Sequence, residues 1–233
     1  MLRVGELTVT FGGVKPLDSV TFELPSGVCG LVGPNGAGKT TFFNVLSGFL
    51  RPSGGVVDAD GTSLLGMAPH HRARWGLRRT FQQEQVIHAL SAYDNIRVTA
   101  DEVGADDAGV REALAFVGLD GADRRGSELT MLERRLVEVA KSVVGRPRMV
   151  LLDEPGAGLA EAETERLVEL IRQIPERFDA QVILVDHDME LVSAVCSTTA
   201  VLDFGRVIAL GPTSQVLADE QVRRAYLGTE EVF

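Results

Sequence analysis

The sequence predicts an α/β fold interrupted by a mainly helical segment, and three observations carry that prediction. Short apolar runs that end in glycine, acidic residues or histidine recur at VCGLV (28–32), MVLLDEP (149–155) and QVILVDHD (181–188), as buried strands would. Amphipathic spacing fills the interval AETERLVELIRQI (162–174) between the last two, which reads as a helix. From about residue 84 to 143 strand signals fade and helical spacing appears, at Val110, Leu114 and Val117 and again at Leu132, Leu136 and Val139. The expected organisation is a core of residues 1–83 and 144–233 with a helical subdomain, 84–143, inserted in it.

Taken in order, the first 30 residues carry strand signals. Leu7, Val9 and Phe11 alternate, as do Val20, Phe22 and Leu24, with Gly12-Gly13 and Pro25-Ser26-Gly27 as turns. Residues 39–47 read as a helix, GGVVDADG (54–61) as a strand and turn, and LRRTFQ (77–82) as another strand. The acidic stretch DEVGADD (101–107) is a solvated loop or a helix start. TAVLDFGRVIAL (199–210) reads as a hairpin turning at Gly205.

With 233 residues the chain can hold one large domain or a core plus a subdomain, and it can bury a full core unaided. Hydrophobic residues make up 45% and charged residues 24%, the balance of a soluble globular protein. Cys29 and Cys196 lie far apart without metal-type spacing and read as small buried hydrophobes of a reducing compartment. The N-terminus forms no apolar run of the signal-peptide kind, and no window approaches the roughly 20 apolar residues a spanning helix needs. A formal net charge of −10 argues against bulk nucleic-acid binding and against unaided adsorption to anionic lipid. Membrane association is therefore expected to run through a protein partner.

The densest chemical signal is Gly33-Pro34-Asn35-Gly36-Ala37-Gly38-Lys39-Thr40, which matches G-x-x-x-x-G-K-[ST] between an apolar strand and a helix. Glycines let the backbone N–H groups approach phosphate oxygens, Lys39 supplies a cation for the β- and γ-phosphates, and Thr40 offers its hydroxyl to Mg²⁺. The helix N-terminus adds partial positive charge. LLDEP (151–155) supplies the other half: Asp153, at a strand's carboxyl end, can hold Mg²⁺ directly or through water, and Glu154 is suited to orient or deprotonate an attacking water. His187, just past another apolar strand, could hydrogen-bond a γ-phosphate. His70, His71 and His88 read as ordinary surface or structural residues.

With these features in this order, the chain resembles the ATP-binding subunit of an ABC transporter over essentially its whole length. It is most similar to the subunits of branched-chain amino-acid importers, through FGG (11–13), RTFQ (79–82), LLDEPGAGL (151–159) followed by AETERL (162–167), DHDMELV (186–192) and VRRAYLG (222–228). The ATPase of lipopolysaccharide export shares the ending and resembles SAYDNI (91–96), but fits FGG, RTFQ and DHDM less well.

The resemblance implies a P-loop ABC ATPase core with an N-terminal antiparallel β subdomain and the inserted helical subdomain. It also implies roles. Phe11 stacks on adenine, Thr41 joins residues 33–40 around the phosphates, and Gln82 senses the γ-phosphate and Mg²⁺ and acts with Glu154 and His187. EQVIHALSAYDNI (84–96) is where relatives build the groove for a membrane subunit. Two ATPase subunits pair head-to-tail in this family, each ATP lying between one subunit's phosphate loop and the other's LSGGQ-like signature. The implied partners are a second ATPase subunit, transmembrane permease subunits and, through the complex, a periplasmic or extracellular substrate-binding protein. The implied location is cytoplasmic, peripheral on the inner face of the membrane.

The signature slot, aligned through VEVAK (137–141), holds Leu129-Thr130-Met131-Leu132-Glu133, with both glycines gone. Thr130 and Glu133 have capping-box spacing, and the Thr130 hydroxyl could also face a partner's γ-phosphate. Where many relatives place Asp in the next loop, this chain has Ala160. The expectation is an asymmetric heterodimer, whose competent site uses this chain's catalytic residues and a partner's signature. A second expectation, from another functional class, is a regulatory nucleotide-binding subunit that scarcely hydrolyses.

Overall fold

Residues 1–227 are described in the computed structural model, so Gly228 at the end of VRRAYLG lies outside the described residues. In chain order the strands are β1 (Leu2–Phe11), β2 (Val14–Leu24), β3 (Val28–Val32), β4 (Gly54–Ala59), β5 (Thr62–Ser63), β6 (Leu77–Arg79), β7 (Met149–Asp153), β8 (Gln181–Val185), β9 (Thr198–Asp203) and β10 (Arg206–Pro212). The helices are α1 (Lys39–Ser47), α2 (Pro69–Trp75), α3 (Ala92–Val103), α4 (Asp107–Val117), α5 (Met131–Val143), α6 (Glu161–Phe178), α7 (Met189–Val195), α8 (Thr213–Ala218) and α9 (Glu220–Leu227). The chain divides into one unit of residues 1–72 and 183–233 and a second of residues 73–182.

The first unit holds an antiparallel sheet in the order β2-β1-β4-β5. Alternation along β1 buries Leu2, Val4, Leu7 and Val9, and β2 answers with Leu17, Val20, Phe22 and Leu24. Phe11 leaves the pattern: at the hairpin end, paired with Val14, it is 54% exposed. A second sheet in this unit runs β10-β9-β3-β8, with β3 parallel to β9 and β10 antiparallel to β9. All five residues of β3 are buried, as a strand covered on both faces requires. Beneath α1, Phe42 and Phe43 are fully buried, each contributing about 2–3 kcal/mol of hydrophobic stabilisation. Buried Arg72 closes the far end of that helix, its Nη1 donating to the carbonyls of Val45 (2.5 Å) and Leu46 (2.7 Å). Those are last-turn acceptors that the helix cannot satisfy itself.

In the second unit β6 and β7 pair in parallel, with Arg79 opposite Leu151. Ser91 caps α3 by accepting from the Asp94 N–H (3.0 Å), and Asp106 caps α4 through the Gly109 N–H (3.0 Å). The acidic stretch 101–107 is thus the end of α3, a capped turn and the first residue of α4. Asn95, 1% exposed, takes the Ile87 N–H on its Oδ1 (2.7 Å) and gives its amide to the carbonyls of Ile87 (3.0 Å) and Ser91 (2.9 Å), which fixes the loop before α3. Helix α6 runs on to Phe178, past the expected end at 174, with Pro175 inside its last turn. Among the described residues no helix is long and apolar enough to cross a membrane.

Candidate nucleotide site

The phosphate loop is built where β3 ends and α1 begins. Gly33 (φ 150°) and Gly38 (φ 110°) are there for space as well as conformation. A Cβ on Gly33 would lie 2.1 Å from the Leu202 carbonyl oxygen, and one on Gly38 would lie 2.3 Å from that of Pro16. The loop is braced by main-chain bonds: Ala37 N–H to Pro34 O (3.1 Å), Gly205 N–H to Ala37 O (3.0 Å) and Asp18 N–H to Gly205 O (2.9 Å). The Asp18 carboxylate takes a fork from Arg206 (3.1 and 2.6 Å) and a bond from Lys15 (3.2 Å), and these hold it below the usual carboxylate range, Arg206 first. The turn glycine of the β9–β10 hairpin therefore serves as a strut for the loop, a role that nothing local in the sequence signals.

Lys39 Nζ donates back to the carbonyls of Gly33 and Pro34 (3.0 Å to Pro34). Asn35, Gly36 and Thr40 are exposed, Thr41 is half-buried, and the first turn of α1 has neither a side-chain cap nor an acidic residue. A helix start without an acidic side chain places no negative charge in the way of an anion. His187 follows β8 in the same unit. Its N–H and that of Asp188 both donate to Asp186 Oδ1 (2.8 and 3.0 Å), while its ring is 57% exposed. A cavity of about 520 Å³ also touches Asn35 and Gly36, with Phe204 and Arg224 among its walls. Pro34 and Ala37 of the loop line it too, whereas Lys39, Thr40 and Phe11 do not.

The second unit carries the acidic half. Asp153 ends β7 buried, with its carboxylate 2.9 Å from Arg79 Nη2. Glu154 adopts φ 49°, a conformation uncommon outside glycine, and its Oε2 accepts from Gln82 Nε2 at 2.9 Å. Of the two adjacent glutamines it is Gln82 that reaches Glu154; the Gln83 carbonyl instead accepts from Gln85 Nε2 (3.1 Å). Helix α5 clamps the following segment. Glu138 accepts the Gln85 N–H (2.8 Å), Lys141 donates to the Gln85 carbonyl (2.7 Å), and Arg134 pairs with Glu84 (2.8 Å). Burial pushes the Glu138 carboxyl up and the Lys141 ammonium down, so each sits in a place costly for its charge.

The signature slot opens α5 with a complete capping box. Thr130 Oγ1 accepts from the Glu133 N–H (3.2 Å) and Glu133 Oε2 from the Thr130 N–H (2.8 Å). Arg124 grips the same carboxylate and holds Glu133 below its usual range. Met131 is 43% exposed, and its thioether lies over Gly158: a Cβ on Gly158 would be 2.9 Å from Met131 Cε. The slot and the 156–160 loop are thus in contact within one unit.

Thr40, Gln82 and Asp153, expected from the sequence as Mg²⁺ ligands, each offer an oxygen of the kind a hard cation takes. Among the described residues no cluster of three or more His, Cys, Asp or Glu could hold a metal.

Residues 17–157 match the ABC transporter family, and residues 206–232 match the C-terminal family described as branched-chain amino acid ATP-binding cassette transporter. The chain is 33% identical to the high-affinity branched-chain amino acid transport ATP-binding protein BraF of Pseudomonas aeruginosa and 34% identical to LivG of Escherichia coli, covering 98% of both partners in each case. It is 32% identical to the lipopolysaccharide export system ATP-binding protein LptB of Escherichia coli, again over 98% of each. Among solved structures, an ATP-binding cassette of an ABC transporter in its ADP conformation superposes with a TM-score of 0.88 at 25% identity, covering 98% of both chains. A phosphate loop, an acidic strand end and a capped signature helix, together with relatives matched nearly end to end, lead to one assignment: the chain belongs to the ABC transporter family, as an ATP-binding cassette.

Proposed function

We propose that the protein is the ATP-hydrolysing subunit of an ABC importer for branched-chain amino acids or related small polar solutes. One observation carries the hydrolytic part: Glu154, beyond the buried Asp153, is held by the amide of Gln82 at 2.9 Å. A carboxylate so held is poised to orient or deprotonate water, and a neighbouring amide can follow the γ-phosphate. In this reading Gly33–Thr41 cradle the phosphates, Lys39 neutralises them, Phe11 stacks on adenine and His187 bonds the γ-phosphate. Thr40, Asp153 and Gln82 hold Mg²⁺, which supplies charge neutralisation when bound. The cargo assignment rests on BraF and LivG.

The subunit works in a head-to-tail heterodimer with a second ATPase, beneath permease subunits fed by a substrate-binding protein, peripheral on the inner face of the membrane. Met131 and Leu132 stand where a partner's γ-phosphate would approach, so the site using this signature is the weak one and the site using Glu154 the competent one. Glu154→Gln is expected to trap ATP and abolish most turnover of the assembled complex. Near-normal turnover in Glu154→Gln, with turnover stopped by Leu132→Asp, would refute the asymmetry. The rival reading, a regulatory subunit, is favoured by the same Met131 and Leu132; it requires that Glu154→Gln leave turnover unchanged.

A further inference from the structure

Arg79 has no part in the reading above, yet it forms a salt bridge with Asp153. The two are the last residues of neighbouring parallel strands, and their side chains are 6% and 8% exposed. The guanidinium reaches the carboxylate at 2.9 Å while resting on the Phe81 ring, 4.8 Å from its centroid. Thr80, between them in sequence, extends the pairing: its N–H donates to Leu151 O (2.9 Å) and its Oγ1 accepts the Asp153 N–H (3.1 Å). Asp153 is thus fixed at its backbone by one residue of this segment and at its carboxylate by the residue before it. A buried carboxylate is costly without a counter-charge, and a guanidinium keeps its charge at every working pH.

We propose that Arg79 is a positioning residue, the standing counter-ion of Asp153, which competes with Mg²⁺ for that carboxylate and thereby sets the Mg²⁺ dependence of nucleotide binding. The proposal rests on the reading of Asp153 as a metal ligand. Mg²⁺ sheds water reluctantly and is held by few carboxylates, so a permanent cation on the buried carboxylate read as its ligand weighs heavily. Arrival of the metal then has to loosen or share the Arg79 contact. Without the metal, Arg79 keeps the end of β7 ordered.

The test is a Mg²⁺ titration of fluorescent ATP-analogue binding to the full chain, beside melting curves of nucleotide-free protein with and without Mg²⁺. In Arg79→Gln the half-saturating Mg²⁺ is expected to fall at least about fivefold, a typical lower bound for coupled binding events. Mg²⁺ alone should raise the Tm of that variant more than that of the unaltered protein. Asp153→Asn added to Arg79→Gln should erase the Mg²⁺ response. Arg79→Lys keeps the charge but not the reach, so it should shift the titration in the same direction by less, and it carries the test if Arg79→Gln does not fold. A Mg²⁺ dependence unchanged in the Arg79 variants, with Asp153→Asn still losing its Mg²⁺ response, overturns the proposal alone. Asp153→Asn with an unaltered Mg²⁺ response overturns the metal-ligand reading and the proposal with it.

Discussion

Thr130 is where a structural and a functional role can be weighed on one side chain. Replacing it with Ala removes the Oγ1 that accepts the Glu133 N–H at 3.2 Å, but leaves the reciprocal bond from the Thr130 N–H to Glu133, which Arg124 also steadies. Half the capping box survives, so the loss is expected to be about 1 kcal/mol, mid-range for a deleted N-cap. For a chain of this size that lowers the Tm by roughly 2–4 °C. Thr130→Ser should melt with the unaltered protein. Thr130→Asp is the informative variant. It caps as well as Thr and sits favourably at a helix N-terminus, so its Tm should hold or rise. Its carboxylate would nevertheless repel a partner's γ-phosphate, so ATP-driven assembly with the partner ATPase should weaken. Melting by circular dichroism and ATP-dependent co-elution read the two effects separately. If Thr130→Ala melts within about 1 °C of the unaltered protein, the capping argument fails. If Thr130→Asp assembles normally with ATP, this hydroxyl does not face a phosphate.

Three further outcomes follow from single contacts. Asn95→Ala leaves the Ile87 N–H and several carbonyls without their amide partner in a buried loop, and is expected to cost about 3 kcal/mol in denaturant unfolding. Gly158→Ala places a methyl at φ +80° and 2.9 Å from Met131 Cε. It should cost about 1–2 kcal/mol from the backbone alone, plus a contact penalty that Met131→Ala relieves in the double variant. Glu133 has its pKa depressed, chiefly by Arg124, so its contribution is present above the unfolded value of about 4.3 and is lost as pH falls through the lower folded value. Glu133→Gln keeps an N3 acceptor for the box and should flatten that acid limb in a pH series of melting curves.

What could be read in the sequence was local. The phosphate loop needs eight consecutive residues with a strand before and a helix after, and β3 and α1 supply them within the expected limits. The Thr130–Glu133 box is a three-residue spacing and forms as written. What escaped depends on contacts distant in sequence. Asn95 looks like a surface amide on a helix start, and only the loop folded over it makes it a buried staple. Gly205 looks like a hairpin turn, yet its N–H and carbonyl link the phosphate loop to Asp18. Arg79, a charge at a strand end, gives no sign of being 6% exposed. Alternation placed Phe11 in β1 correctly, but the period that buries Leu7 and Val9 breaks at the hairpin and leaves the ring 54% exposed. The helix read over 162–174 runs on through Pro175 to Phe178.

The missing signature glycines now have a physical counterpart. A glycine in that slot keeps side chains from standing between a helix N-terminus and an approaching phosphate. Two side chains replace them here. Leu132 is half-buried, and the end of Met131 lies over Gly158 in the next loop. That position can accept it only because residue 158 has no Cβ, so the departure at 131 and the glycine at 158 form one arrangement. The cap at Thr130 meanwhile keeps the helix start regular without help from a glycine. The slot is therefore ordered and self-consistent rather than eroded. A site merely decaying would have no reason to hold a complete capping box beside a methionine fitted to a glycine 27 residues away. The same fit brings residue 131 and the 156–160 loop together. In the proposed head-to-tail dimer, a change at either one should therefore register at the partner's nucleotide before it registers at Glu154.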